Sequence, residues 1–359
     1  MPDPIVIVDT VAQIRQQAGG RSAAQTSPAH HEVQFDGGST ALLNPVDAKT
    51  PALIDLLQDL RTGGHPVYVE LDPSSRVVNR VLLPIVVNVT GIAALPSGDL
   101  DVSLMISHAR HFLRRSHPKF GQFAAVLNQA LAGRSSVAVA EDDDHNIVDV
   151  RPSSPFVPSA SRSLAKGGLA DSKLTAPATT ISLQQATELF ALVSGQSCNP
   201  LAITTTCIPF LYPDDGCWAR AHEMSRLMIA RGVRPNKRWI YGRLHVQTRN
   251  KPNCAQDWGW HVAPTLQVQM GGGTQTMVID PSMFTIPVPD PVWRGAQNDA
   301  TAVFATTDAS IFYRSLNGEV STDPTYAGTT QVLAQFRAQL KLRTATVGPP
   351  PYANCTALV

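Results

Sequence analysis

Cys217 lies in the run Tyr212-Pro213-Asp214-Asp215-Gly216-Cys217-Trp218-Ala219-Arg220-Ala221-His222, at what reads as the first turn of a helix. A thiol in that position feels the positive end of the helix dipole, which favours the thiolate and makes it a nucleophile near neutral pH. Downstream stand His261 in Trp258-Gly259-Trp260-His261-Val262-Ala263 and Asp280 in Val278-Ile279-Asp280-Pro281-Ser282. The order Cys, His, Asp suits nucleophilic amide chemistry: the thiolate attacks a carbonyl carbon, the imidazole moves protons, and the carboxylate orients the imidazole. Taken singly, each residue has a plainer reading. Cys217 reads equally as a buried structural thiol, His261 as a satisfied core histidine, and Asp280 as the start of a turn into Pro281.

The flanking residues say how these groups would be held. Asp215 or Asp214 is a suitable N-cap, and Gly216 allows a tight turn into the helix. Cys217, Ala221, Met224 and Met228 recur at helical spacing and define one buried face, with Arg231 and Gly232 as a fitting end. His261 leads into the strand pattern Val262 to Val268, and Asp280 ends the strand Thr276-Met277-Val278-Ile279. Trp218, Trp258 and Trp260 are candidates for the walls of a substrate slot, although core packing explains them nearly as well. Cys254, His245 and His261 lack the paired spacing of zinc sites, so neither a metal nor another cofactor is expected for the chemistry.

Around this centre the chain divides by texture. Residues 1–30 are polar and expected to be mostly without order, and residues 31–151 read as a small α+β domain. Within it, helical patterns cover Pro51 to Arg61 and Phe120 to Leu131, and strand patterns cover Val67 to Leu71, Arg80 to Val89 and Asp99 to Leu104. Ser135 to Ala140 and Asn146 to Val150 read as a hairpin around an acidic turn. The basic cluster from His108 to Lys119 reads as a solvated helix face or an internal interface. Residues 152–180 are rich in Pro, Ser, Ala and Gly and are expected to be a protease-accessible linker. Ser182 then opens a helix, residues 181–346 form the second domain, and the proline-rich tail 347–359 is expected to be poorly ordered.

Composition narrows the partners. With 43% apolar residues and a net charge of +1, the chain is globular and lacks the basic face that nucleic acid binding needs. No apolar run spans a bilayer. The start Met1-Pro2-Asp3-Pro4 has no basic or long apolar leader, so the expectation is secretion or export by a route without an ordinary signal peptide, with the cytoplasm left open. Five cysteines are an odd number. Pairing Cys198 with Cys207 would stabilise by about 3 kcal/mol in the chain-entropy account. A further pair, Cys254 with Cys355, would leave Cys217 as the lone thiol, and five reduced thiols fit the same count.

The stretch Gln196-Ser197-Cys198 to Cys207-Ile208-Pro209-Phe210-Leu211-Tyr212-Pro213-Asp214-Asp215-Gly216-Cys217-Trp218 resembles the bacterial protein-glutaminases. So do Trp239-Ile240-Tyr241-Gly242, Trp260-His261-Val262-Ala263, Ile279-Asp280-Pro281-Ser282-Met283-Phe284 and Trp293-Arg294. The resemblance implies Cys217 as nucleophile, His261 as base, Asp280 as orienting carboxylate and a small disulfide loop at Cys198 and Cys207. It implies a papain- and transglutaminase-like α+β catalytic domain acting on protein or peptide substrates with exposed glutamine. It also implies an N-terminal pro-region, here the first α+β domain, acting as an intramolecular inhibitor. The rivals are a transglutaminase or cysteine protease using the same triad, and a delivered effector deamidase whose N-terminal half is a targeting or binding module.

Overall fold

A computed structural model describes residues 4–17, 21–22, 25–26, 30–153 and 178–356. The chain forms two compact units: Met1–Met105, His111–Phe156 and Lys341–Gly348 make one, and Ile106–Arg110, Val157–Leu340 and Pro349–Val359 make the other. Most of the expected linker, 154–177, lies outside the described residues.

The first unit is built on one pattern used twice. Strands β1 (Ile5–Gln17), β2 (Arg21–Ser22), β3 (Gln25–Thr26), β4 (His30–Phe35) and β5 (Thr40–Leu43) precede helix α1 (Thr50–Gly63), which is followed by β6 (Pro66–Leu71) and β7 (Val78–Leu82). The second pass runs β8 (Ile85–Ala94), β9 (Leu100–Leu104), β10 (His111–Leu113), α2 (Phe120–Gly133), β11 (Ser136–Glu141) and β12 (Ile147–Pro152). Their five-stranded sheets have the orders β5-β4-β1-β6-β7 and β10-β9-β8-β11-β12. Each sheet is antiparallel throughout, with the first long strand at its centre.

Local sequence explains most of these elements. In α1, Pro51 suits the first turn, Leu53, Leu56, Leu57 and Leu60 are buried at three- and four-residue spacings, and Gly64 closes the helix at φ 64°. Three expectations need correcting here. Residues 5–17 form a strand, because β4 and β6 complete its ladders on both edges. Arg80 to Val89 is two strands, since Pro84 cannot donate to a ladder and breaks the run. His108 to Lys119 is no helix face: it is a loop segment, strand β10 and a turn.

The second unit centres on a six-stranded sheet. After β13 (Thr180–Ser182) come α3 (Leu183–Ser194) and α4 (Cys217–Ile229), then β14 (Asn236–Gln247), β15 (Ala255–Met270), β16 (Gly273–Val278), β17 (Val288–Pro289), α5 (Asp290–Gly295) and β18 (Val303–Asp308). The sheet order is β17-β16-β15-β14-β18, with β13 pairing in parallel to β15. A hairpin of β19 (Ile311–Arg314) and β20 (Val320–Thr322) follows, and α6 (Ala327–Thr346) contributes to this unit as far as Leu340. Ser182 caps α3 in a reciprocal capping box with Gln185. The core joins Ala186, Phe190 and Val193 of α3, Ala221, Met224 and Met228 of α4, and Leu266 and Val268 of β15.

Two disulfides tie this unit, Cys198–Cys207 and Cys254–Cys355. The described part of the tail is therefore anchored rather than loose, and the Tyr352 N–H also donates to the Arg249 carbonyl at 2.7 Å. No helix among the described residues is long and apolar enough to cross a membrane. The second disulfide spans 101 positions, so replacing Cys254 and Cys355 together with serine should cost about 4 to 5 kcal/mol in the chain-entropy account. Guanidinium melts of the two proteins check this, and an unchanged midpoint would contradict the stabilising role.

Candidate active site

Helix α4 presents the thiol. Its N-cap is Gly216 at φ 85°, not an aspartate. The reason is steric as well as conformational: a Cβ at Gly216 would lie 2.4 Å from the Phe336 ring. Asp215, freed from capping, instead accepts from the Ser107 hydroxyl at 2.6 Å, from the His108 N–H at 3.0 Å and from the Gly216 N–H at 2.8 Å. Buried Arg220, one turn into α4, donates to the Tyr212 and Asp215 carbonyls at 3.0 and 2.6 Å and so pins the loop that delivers Cys217.

Strand β15 presents His261 opposite Ile240 of β14. The turn after β16 presents Asp280, whose carboxylate Oδ2 accepts from His261 Nε2 at 2.8 Å and from the Trp293 indole N–H at 2.9 Å. Trp258 and Trp293 stack on the His261 ring at centroid distances of 4.4 and 5.6 Å. With Nε2 committed to Asp280, the lone pair of His261 is on Nδ1, and that atom has no hydrogen-bond partner. Donor atoms of Cys217 and His261 lie within 4.8 Å of each other. The predicted trio is thus assembled in one buried place.

A fourth group sits there. His108 is fully buried, with Nδ1 at 2.5 Å from Cys217 Sγ and 3.4 Å from the Cys217 backbone nitrogen. Its Nε2 is 3.3 Å from the Pro213 carbonyl. Around the ring stand Trp258, Trp260, His261 and Trp218, with centroids at 5.1, 5.6, 5.8 and 6.3 Å. The backbone of the segment is held as well: the Gly259 N–H donates to the His108 carbonyl at 2.7 Å, and the Trp260 indole N–H donates to the Ser107 carbonyl at 2.9 Å. Sequence reasoning placed His108 in a basic cluster and missed it. Its signal, a small-residue tripeptide Ser107-His108-Ala109 between two strands, carries no mark of what it will touch.

Electrostatics differ from the helix-dipole expectation. Burial pushes the Cys217 thiol well above its ordinary range; Arg220 and the Val262 backbone N–H oppose this, while Asp215 and Asp280 reinforce it. Desolvation outweighs the half-charge of a helix start because Cys217 is buried. For Asp280, burial also opposes ionisation, but the His261 charge, the hydrogen bonds from His261 and Trp293, and Arg220 together hold its carboxyl below the usual carboxylate range.

Among the described residues, two clusters have the side chains to hold a metal ion: His108, Cys217 and His261 here, and His111, Glu141 and His145 in the first unit. In the latter, Glu141 already accepts from His111 at 2.5 Å and from His145 at 2.7 Å. Burial disfavours its charge, yet the two imidazoles lower its pKa.

Residues 186–297, which hold Cys217, His261, Asp280 and Trp293, match the family model described as glutaminase. This segment is similar to the glutaminase family. The match supports a glutamine-deamidating enzyme. The chain is similar to a crystal structure of pro-protein-glutaminase over 77% of its own length and 99% of the other's, at 24% identity and a TM-score of 0.52, a likeness of fold. A crystal structure of protein-glutaminase matches 50% of this chain and 98% of its own at 27% identity and a TM-score of 0.40. The NMR structure of protein-glutaminase from Chryseobacterium proteolyticum matches 50% of this chain and 100% of its own at 29% identity, also with a TM-score of 0.40. No curated protein sequence matches the chain.

Cys217 is the one free cysteine among the described residues, so thiol labelling reports it directly. A thiol raised by burial stays protonated at neutral pH, and its alkylation by iodoacetamide in the intact chain should still be rising at pH 9. Initial rates across pH 6 to 10 check this; a plateau reached by pH 7 would contradict the electrostatic account.

Proposed function

We propose that the enzyme hydrolyses the side-chain carboxamide of glutamine in proteins or peptides to glutamate and ammonia, with Cys217 as nucleophile, His261 as proton carrier and Asp280 as its orienting carboxylate. One observation carries this reading: inside the segment matching the glutaminase model, His261 is tied through Nε2 to Asp280, its Nδ1 has no partner, and a ring nitrogen of it lies within 4.8 Å of the Cys217 sulfur.

The steps follow from that orientation. His261 Nδ1 takes the thiol proton, and the thiolate attacks the carboxamide carbon. The Cys217 backbone N–H, which points at His108 Nδ1 in the closed site, is placed to meet the developing oxyanion. The imidazolium returns its proton to the departing nitrogen, leaving a thioester and ammonia. His261 then deprotonates water, which attacks the thioester, and glutamate leaves as the thiol is restored. Asp280, kept ionised, holds the tautomer and offsets the positive charge on the ring. Trp218, Trp258 and Trp260 wall the approach and restrict amine acceptors, which favours water over a lysine as the second nucleophile. No metal enters these steps.

The helix-borne thiol facing a strand-borne histidine supports a papain- or transglutaminase-like catalytic domain. The N-terminal part acts as a pro-region: the segment Ile106–Arg110 belongs to the catalytic unit and covers the sulfur, and the fold likeness to pro-protein-glutaminase extends well beyond residues 186–297. The two disulfides fit secretion into an oxidising compartment. Cleavage within 152–180 would release the inhibitor. Water reaching the sulfur then removes the desolvation that keeps the thiol protonated.

The test is ammonia release from casein together with the roughly one-dalton glutamine-to-glutamate mass shift, comparing intact chain with chain cut in 152–180 by limited proteolysis. Cutting should raise the rate at least tenfold, Cys217→Ala should abolish it, and Asp280→Asn should lower kcat by roughly 10³ to 10⁴. Dominant cross-linking would point to a transglutaminase and peptide-bond cleavage to a protease. Equal activity before and after cutting would remove the pro-region role and favour a targeting module.

A further inference from the structure

The geometry points to a binding site for a borderline-soft divalent cation of the zinc type, formed by Cys217 Sγ, His261 Nδ1 and His108 Nδ1 while segment 106–110 covers the thiol. A thiolate with two imidazoles is a donor set that zinc prefers. All three donor atoms lie within 4.8 Å of one another and the three residues are buried.

The nitrogens that would not bind the ion are the stronger clue. Metal-binding histidines give their second ring N–H to a carboxylate or a backbone carbonyl, which sets the tautomer and aims the lone pair. His261 Nε2 lies 2.8 Å from Asp280, and His108 Nε2 lies 3.3 Å from the Pro213 carbonyl. Both rings therefore direct Nδ1 lone pairs into the one space occupied by the thiol. His108 Nδ1 already faces the Cys217 backbone N–H at 3.4 Å, whereas His261 Nδ1, on a residue only 1% exposed, has no hydrogen-bond partner. A cation would give His261 Nδ1 its partner, with the sulfur and His108 Nδ1 as further ligands.

Charge favours the same outcome. Asp280 stands behind His261, and an Asp215 carboxylate oxygen lies 3.8 Å from His108 Nδ1. Negative groups that oppose a bare thiolate in this place stabilise a dication. Binding moves the thiol proton to solvent, forms Zn–S and Zn–N bonds and changes no oxidation state. Tetrahedral ligands at zinc distances sit about 3.5 Å apart, so the His108 ring must draw back roughly 1 Å from its 2.5 Å contact with sulfur. Rotation of the His108 side chain can supply that movement while its backbone stays held. With His108 withdrawn only Cys217 and His261 remain, so the ion stabilises the covered form specifically. The site is independent of the deamidation reading, because it needs the positions of the three side chains and not their catalytic roles.

The experiment uses purified full-length chain, stripped with a chelator and titrated with Co²⁺ as a visible stand-in, then with Zn²⁺ in competition. The expected result is one cobalt per chain, tetrahedral visible bands and a thiolate-to-cobalt charge-transfer band in the near ultraviolet. Cys217→Ser should remove the charge-transfer band, and His108→Ala should weaken zinc affinity at least tenfold. His245→Ala, an exposed histidine paired with Asp257, should bind as the native chain does. Thermal melts monitor folding, and zinc should raise the midpoint of the native chain but not of His108→Ala. Absence of the charge-transfer band in the native chain, or a His108→Ala affinity within twofold of it, would overturn the site. Deamidation by linker-cut chain in excess chelator is a separate readout, so failure of either idea leaves the other standing.

Discussion

The 2.8 Å bond between His261 Nε2 and Asp280 is the contact on which the site depends. It decides which ring nitrogen carries the proton and therefore which lone pair meets the sulfur. Much of the catalytic unit serves this bond. Trp293 adds a second hydrogen bond to the same carboxylate oxygen, and Trp258 and Trp293 limit rotation of the imidazole by stacking. The turn after β16 is locked by donation from the Met283 and Phe284 N–H groups to the Asp280 carbonyl. A buried carboxylate would ordinarily pick up a proton; this one stays charged because the histidine and the indole outweigh its desolvation.

Cys217 follows a different logic. Its helix start is made by a glycine in a left-handed conformation pressed against Phe336, and by Arg220 gathering the carbonyls of the preceding loop. That arrangement places the sulfur accurately, but it does not by itself activate it. The covering segment removes water, and loss of hydration outweighs the helix terminus. Reactivity is thus governed by access. With His108 in place, the buried thiol is kept in its protonated form.

The first unit shows how a repeat hides. Both passes have a long central strand, two strands on one side, a fourteen-residue helix and two strands on the other. In the first pass β4 turns to β5 through four residues; in the second, β9 reaches β10 through Met105 to Arg110, and most of that connection belongs to the catalytic unit. A lengthened hairpin turn has become the covering segment. Alternation and leucine spacing revealed the helices and most strands, because those signals are local. They could not reveal the shared strand order, the strand at residues 5–17 or the anchoring of the tail, which rest on ladders and a disulfide between distant positions.

What the sequence by itself determined was the chemistry available: a thiol at a helix start, a histidine in an aromatic strand, an aspartate at a strand end, and flanks resembling protein-glutaminases. Residue type and local spacing suffice for that, since capping, periodicity and turn propensity act over a few residues. Tertiary structure decided the rest. It brought His108 from 109 positions away onto Cys217, turned Asp215 from a helix cap into an anchor for that segment, and made Arg220 and Trp293 part of the site. These are long-range contacts, and nothing in the local pattern around His108 or Trp293 distinguishes a side chain that fills an active centre from one that merely fills a core.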